Sequence, residues 1–170
     1  PQKNHDFLID VFAEIKKKQP DAELILVGTG PLEEKVRSKV ADKGLTESVQ
    51  FLGNRKDMNR IYQAMDIFVF PSLFEGLGIV AIEAQAAGVP IVCSEGLPPE
   101  TDITPIYRKL MLSDGAEKWA EAAIEMAQSS KAHTNMQKYI IDAGFDMNAT
   151  AKNMEEYYLE KEAQIREKNK

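Results

Sequence analysis

The chain has a single cysteine, Cys93, among 170 residues, which excludes an intramolecular disulfide and points to a reducing, cytoplasmic setting. Histidine is nearly as scarce: His5 and His133 stand apart, each reading as a surface residue. With no Asp-x-Asp pair and no His/Cys cluster, no metal ligand set is expected. No apolar run approaches ~20 residues, so no transmembrane helix is expected, and the start carries no signal-peptide pattern. A basic excess is missing too. Lys and Arg number 21 against 27 Asp and Glu, a net charge of −6 that argues against general nucleic-acid binding. The sequence also lacks a Gly/Ser-rich linker, an internal repeat and any low-complexity segment outside its charged tail. It begins on Pro1 rather than Met and enters a helical pattern almost at once, so it reads as a piece of a longer chain.

What is present has the balance of a soluble globular domain, 44% hydrophobic and 28% charged, and is long enough to bury a core. Asn4 stands where it can cap a helix whose apolar positions Leu8, Val11, Phe12 and Ile15 follow helical spacing and which ends in a lysine run before Pro20. Short apolar runs at 23–27, 49–52, 67–70 and 89–93 have strand length, and a last strand is expected over 109–112. Between them lie helical patterns: one from Pro31 to Gly44, one capped by Asp57, and an Ala-rich one ending at Gly88. A fourth is introduced by a capping-box pattern at Asp114 and Glu117, and two more are expected near 134–143 and 149–167. Trp119, Met126, Met136, Tyr139, Tyr62 and Met65 fall on core positions of these helices, and Cys93 reads as strand packing rather than a nucleophile.

Alternation of short continuous apolar strands with helices is the pattern of a parallel sheet covered on both faces, a doubly wound α/β domain. We assign residues 1–147 to it and 148–170 to a charged C-terminal helix. The charges of that helix form a solvated face, and Met154, Tyr157, Tyr158 and Ile165 offer an alternative contact for a partner domain.

The densest signal lies at 71–94. The strand 67–70 runs into Pro71, the turn Glu75-Gly76-Leu77-Gly78 follows, and the helix it opens carries Glu83. A helix N-terminus offers unpaired N–H groups and a partial positive charge, and glycines there let backbone approach a phosphate closely. Two carboxylates flanking such a cradle can accept hydrogen bonds from sugar hydroxyls. The bland alternatives are a helix-dipole contact for Glu75 and a solvated charge for Glu83; their place at the carboxyl ends of strands, where α/β ligands bind, favours a site. Gly28-Thr29-Gly30-Pro31 reads equally as a plain strand-to-helix turn or as a loop lining the same cleft.

Read in order, Gln2-Lys3-Asn4, Leu26-Val27-Gly28-Thr29-Gly30-Pro31, Val49-Gln50-Phe51-Leu52-Gly53, Asp66-Ile67-Phe68-Val69-Phe70-Pro71-Ser72, Glu75 through Glu83, and Gly88-Val89-Pro90 resemble the carboxy-terminal, donor-binding domain of GT-B glycosyltransferases, in particular the retaining family 4. The likeness covers roughly residues 1–100. A looser likeness over 97–119 points to a subgroup acting in capsular and exopolysaccharide assembly.

The resemblance implies a Rossmann-like domain and assigns roles. Glu75 would accept hydroxyls of the transferred hexose beside the developing oxocarbenium charge. The backbone of Gly76, Leu77 and Gly78 would hold the diphosphate, Lys3 would neutralise it, and Glu83 would bind the ribose. Gly28 and Gly30 would line the donor cleft, and the turn of Leu52, Gly53 and Arg55 would lie against the base. It implies a nucleoside diphosphate sugar, a UDP-sugar first, as donor with no further cofactor. The acceptor would be a carbohydrate or lipid-linked molecule held by a separate amino-terminal domain, with a peripheral membrane association of the intact enzyme.

Two features depart from the family pattern. Paired glycines before a glutamate are replaced by Ser94-Glu95-Gly96-Leu97-Pro98-Pro99-Glu100, with Glu100 in the glutamate's place. The strand, and the arginine at its end, that should precede Lys3 are absent. In a 3-2-1-4-5-6 sheet that strand is central, so a gap is expected between the strands at 23–27 and 67–70. Two rival readings use the same residues: a non-catalytic nucleotide-binding module, and a nucleotide-sugar epimerase.

Overall fold

The computed structural model describes residues 2–128 and 133–168; Pro1 and residues 169–170, at the ends of the assigned segments, lie outside the described residues. Helix α1 (His5–Lys18) buries Leu8, Ile9, Val11 and Phe12 and ends on Lys16, Lys17 and Lys18, whose charges oppose its C-terminal dipole. Its start corrects the expected cap. Asn4 adopts left-handed backbone, φ 51°, and makes no side-chain cap; only its carbonyl is engaged, by the Leu8 N–H at 3.1 Å. Asparagine enters that region more readily than most residues.

The succeeding elements are β1 (Leu24–Leu26), α2 (Glu33–Asp42), β2 (Val49–Phe51), α3 (Met58–Gln63), β3 (Phe68–Phe70), α4 (Ile79–Ala86), β4 (Ile91–Ser94), β5 (Tyr107–Leu110), α5 (Gly115–Ala127), α6 (Gln137–Asp142) and α7 (Met147–Lys168). β5 starts two residues before the expected 109–112, because Tyr107 to Leu110 register with Ile91 to Ser94 and Leu112 already opens a 3-10 turn. The two acidic caps also differ from expectation. Asp57 is held by Arg55, with Nε–Oδ1 at 2.9 Å and Nη2–Oδ2 at 2.8 Å, and does not cap α3. Asp114 accepts the Met111 N–H at 3.0 Å, serving the preceding 3-10 turn rather than α5. In both cases a nearer donor takes the carboxylate.

All strand pairs are parallel, in two fragments: β1 with β2, and β3-β4-β5 with β4 central. The expected gap is present, for among the described residues β1 and β3 share no ladder. Side chains of β4 alternate between two helical layers. Val92 packs with Val11, Trp119, Ala120 and Ala123 of α1 and α5, while Ile91 and Cys93 pack with Ala81 of α4 and with Leu97. A third cluster joins Leu8, Ile9 and Phe12 to Leu26, Val40 and Val49 around the two-stranded fragment. Trp119, fully buried, donates its Nε1–H to the Met111 carbonyl at 2.9 Å and meets the Phe7 ring edge-on at 5.5 Å. Met126, Met136 and Tyr62 are buried as expected and Met65 is half-buried; Tyr139 is not, standing 46% exposed on the short α6. His5 is half-buried rather than a surface residue, and burial holds its imidazole below its usual pKa.

Where the sheet breaks, a channel of about 790 Å³ opens. Leu24 to Val27 form one wall and Ile67 to Phe70 the other, with Leu8, Phe12 and Ile15 of α1 and Met58 and Tyr62 of α3 among the residues that close it. Lys3 also lines this channel.

Candidate functional site

Glu75 is held at the carboxyl end of β3. Ser72, fully buried two residues beyond the strand, donates its hydroxyl to Glu75 Oε1, and Lys3 Nζ lies 2.7 Å from the same oxygen. Lys3 also sits 5.0 Å above the Phe70 ring, a cation–π contact that fixes its head group. The stretch carrying it is tied to the same loop: the Leu73 N–H donates to Gln2 O at 2.8 Å, and Gln2 Nε2 donates to Phe74 O at 2.9 Å. The structure therefore brings together two residues 72 positions apart. Glu75 is 6% exposed in its side chain and Lys3 45%, so the carboxylate is sunk and the ammonium faces outward.

Both donors use Oε1, which leaves Oε2 of Glu75 available. Gly76 and Leu77 are exposed, and buried Gly78, at φ 68°, turns the chain into α4. A side chain at Gly78 would meet only ordinary contacts near 3.7 Å, so the glycine is required by its left-handed backbone. Glu83, exposed on α4, has one oxygen, Oε2, within 3.0 Å of the Tyr62 hydroxyl. Among the described residues, each member of the carboxylate pair thus has side-chain partners on one oxygen only.

The other candidates gather on the two-stranded fragment. Gly28 follows β1, Gly53 follows β2, and the Gly28 N–H donates to Gly53 O at 2.8 Å while the Leu52 N–H donates to Leu26 O at 2.9 Å. Gly28 and Gly30 are exposed, and added Cβ atoms there would meet nothing within 4 Å, so the space above this loop is open. Arg55 is occupied by Asp57, whose carboxyl it holds below the usual range. Among the described residues, no recorded hydrogen bond joins this group to the Glu75–Glu83 group. The first group follows β1 and β2, and the second lies on the loop and helix that follow β3, so the two sit on different sheet fragments.

Sequence reasoning missed Ser72 as an orienting donor, Tyr62 as a partner of Glu83, and Gly96. The Glu75 N–H donates to Gly96 O at 2.9 Å, and a Cβ on Gly96 would lie 2.7 Å from Ser72 O and closer still to Leu73 O. Ser94 adds a hydroxyl bond to Ser72 O. The loop that departs from the family's paired glycines therefore still buttresses Glu75, through one glycine at close approach. The Pro-Ser step after an apolar strand was the available signal for Ser72; nothing in the sequence pointed to Tyr62 beyond its core periodicity.

The sequence matches the family "Glycosyl transferases group 1" over residues 1–129. The chain belongs to that family. It is 33% identical over 130 residues to a protein of Bacillus subtilis carrying the name glycosyltransferase EpsF, covering 76% of this chain and 34% of that protein. It is 36% identical over 136 residues to the GDP-mannose-dependent monoacylated alpha-(1-6)-phosphatidylinositol monomannoside mannosyltransferase of Corynebacterium glutamicum, covering 74% of this chain and 35% of that protein. This group 1 chain thus spans about a third of the length of the curated relatives it matches. Among solved structures, sucrose-phosphate synthase of Thermosynechococcus elongatus superposes with a TM-score of 0.78 at 26% identity, over 96% of this chain and 43% of that one. HepE of Anabaena, solved with UDP and glucose, superposes with a TM-score of 0.77 at 22% identity, over 94% and 46%. The fold is that of the GT-B glycosyltransferases.

Proposed function

We propose that this chain is the donor-binding half of a retaining glycosyltransferase that transfers a hexose from a nucleoside diphosphate sugar, with a UDP-sugar as the first candidate, to a carbohydrate or lipid-linked acceptor held by an amino-terminal domain. The observation that carries the reading is the Lys3–Glu75 contact at the mouth of the glycine turn that opens α4. It puts an ammonium and a carboxylate side by side, as a sugar diphosphate bond breaking into cation-like sugar and anionic leaving group requires. As that bond breaks, the diphosphate gains negative charge, and Lys3 with the free N–H groups at the start of α4 stabilises it more in the transition state than in the bound substrate. Glu75, with Oε2 uncommitted, accepts a hexose hydroxyl and faces the positive charge developing on the sugar. Glu83, farther along α4, accepts the ribose hydroxyls through Oε1. The base lies over Leu52, Gly53 and Arg55, and Gly28 and Gly30 leave backbone room beside the diphosphate.

HepE was solved with UDP, which supports the uridine reading. The C. glutamicum relative is named for GDP-mannose, so a mannosyl donor is the second reading. The test is calorimetric titration of the full-length protein with UDP, UDP-hexoses and GDP-mannose, followed by Glu83→Ala and Glu75→Ala. Glu83→Ala is expected to weaken nucleotide binding, and Glu75→Ala to reduce sugar transfer while nucleotide affinity holds. Absence of saturable binding by any of these ligands, or equal loss of nucleotide affinity in the two variants, would sink it.

A further inference from the structure

Tyr62 occupies the core position its periodicity predicts, but its hydroxyl does more than pack. Its ring is buried, 3% exposed, against Ala84 and Val89, and meets Phe68 edge-on at 6.2 Å. Its hydroxyl emerges from that cluster 3.0 Å from Glu83 Oε2, while the only other recorded acceptor, the Val80 carbonyl, is at 3.4 Å. A phenol has one proton to give, and the nearer, charged acceptor makes the stronger bond. Among the described residues the Glu83 carboxylate has no other recorded partner, although it stands on the exposed side of α4.

We propose that Tyr62 is a positioning residue that locks the Glu83 carboxylate in one rotamer and presents Oε1 to the ribose diol of the bound nucleotide. The inference rests on the reading of Glu83 as the nucleoside ligand. An exposed glutamate has several rotamers open to it, and holding one in advance removes an ordering cost from binding. The tether is permanent at ordinary pH, because burial and the adjacent Glu83 carboxylate both push the phenol's pKa up and keep it a donor. The ring itself is held by α3, β3 and α4 together, so the hydroxyl has no freedom to follow a carboxylate that moves away.

The experiment compares wild type, Tyr62→Phe, Glu83→Ala and the double variant in the full-length protein, titrated with UDP and GDP and with the 2′,3′-dideoxy form of whichever binds more tightly. Tyr62→Phe keeps the ring, and thermal melts show whether the core is intact. The variant is expected to weaken the ordinary nucleotide about fivefold and to leave the dideoxy analogue unchanged. The donor KM should rise with kcat held, and the Glu83→Ala background should feel no further loss. Equal weakening of both nucleotides, or additive losses in the double variant, would overturn the proposal by making Tyr62 merely structural. If Glu83→Ala itself leaves affinity intact, the donor-site reading falls and takes this inference with it; if Glu83→Ala weakens binding and Tyr62→Phe does not, only the positioning role falls.

Discussion

The two sheet fragments are made of the same kind of strand-helix unit and yet differ in burial. β4 is buried at all four residues, whereas β1 buries only Leu26 of three. A strand paired on both edges and covered on both faces has no route to solvent; β1 is paired on one edge, and its other edge opens into the channel. Two glycines mark the crowding. Gly88 and Gly96, around the three-stranded fragment, would each drive a Cβ into backbone, whereas Gly28, Gly30 and Gly53, on the two-stranded one, meet nothing within 4 Å, as does Gly76 in the exposed turn after β3. The crowded fragment fixes the carboxylates, and the open one leaves room for something to lie over its loops.

The largest effect should come from exchanging an alanine across that divide. Gly96→Ala pushes a Cβ against the carbonyls of Ser72 and Leu73, directly beneath the loop that carries Glu75, and neither backbone can yield without moving the site. A loss of about 4 kcal/mol is expected, read as a fall in denaturation midpoint. Gly30→Ala has open space and no positive φ, so it should change stability by no more than about 0.5 kcal/mol. If Gly30→Ala proves as damaging as Gly96→Ala, the open loop is not open.

Burial also explains what could be read from the sequence. The parallel α/β class and every strand to within two residues follow from apolar run length and helical spacing, which are local properties, whereas the gap between β1 and β3 was expected from the family resemblance and the central strand it calls for. Glu75 was marked by its place beside a glycine turn at the carboxyl end of a strand and Lys3 by a resemblance, but their meeting depends on Gln2 bonding to Leu73 and Phe74, a contact between distant segments with no sequence period. Tyr139 went wrong because α6 is one short helix with a single buried residue, Ile140, too little for periodicity to choose a face. Tyr62 was placed in the core correctly, yet its hydroxyl, the part that touches the site, is invisible to a hydrophobic pattern. Asp57 and Asp114 show the same limit for capping, since the choice among competing donors is made by geometry.

A middle-sized effect tests the tight side by pH. Cys93 is fully buried beside Leu97 and Phe70, and burial pushes its thiol up to about 11. An unfolded thiol titrates near 8.5, so between roughly pH 9 and 11 the unfolded chain has released this proton and the folded chain has kept it. Stability must then fall as pH rises through that window, by about 3 kcal/mol in all, and be fully present below it. The difference between wild-type and Cys93→Ala unfolding free energies, followed from pH 8 to 11, should carry this slope. A difference that stays flat would mean that solvent reaches the centre of the three-stranded fragment.

The smallest effect in energy is the one that probes the channel most directly. Leu26 and Gly28 spend their backbone groups on β2, and Phe68 donates its N–H to Pro90 O at 2.8 Å. Because alternate residues of a parallel strand point their N–H and C=O groups to opposite edges, Ile25 and Val27 from one side and Ile67 and Val69 from the other turn theirs into the channel. Apolar side chains nearby keep these groups from looking exposed by area, but side-chain cover does not replace a ladder bond. In the chain of residues 1–170, the amides of Ile25, Val27, Ile67 and Val69 should exchange with solvent deuterium well ahead of Leu26, Phe68 and Val92, although all seven lie within or beside strands. Equal protection across the seven would show the two fragments closed onto each other, with β1 and β3 sharing a ladder and no room between them. Fast exchange at the four alone would mark the channel as open backbone edge on both walls, and would make the separation between the open glycine loops and the carboxylate pair a property of the sheet rather than of the loops.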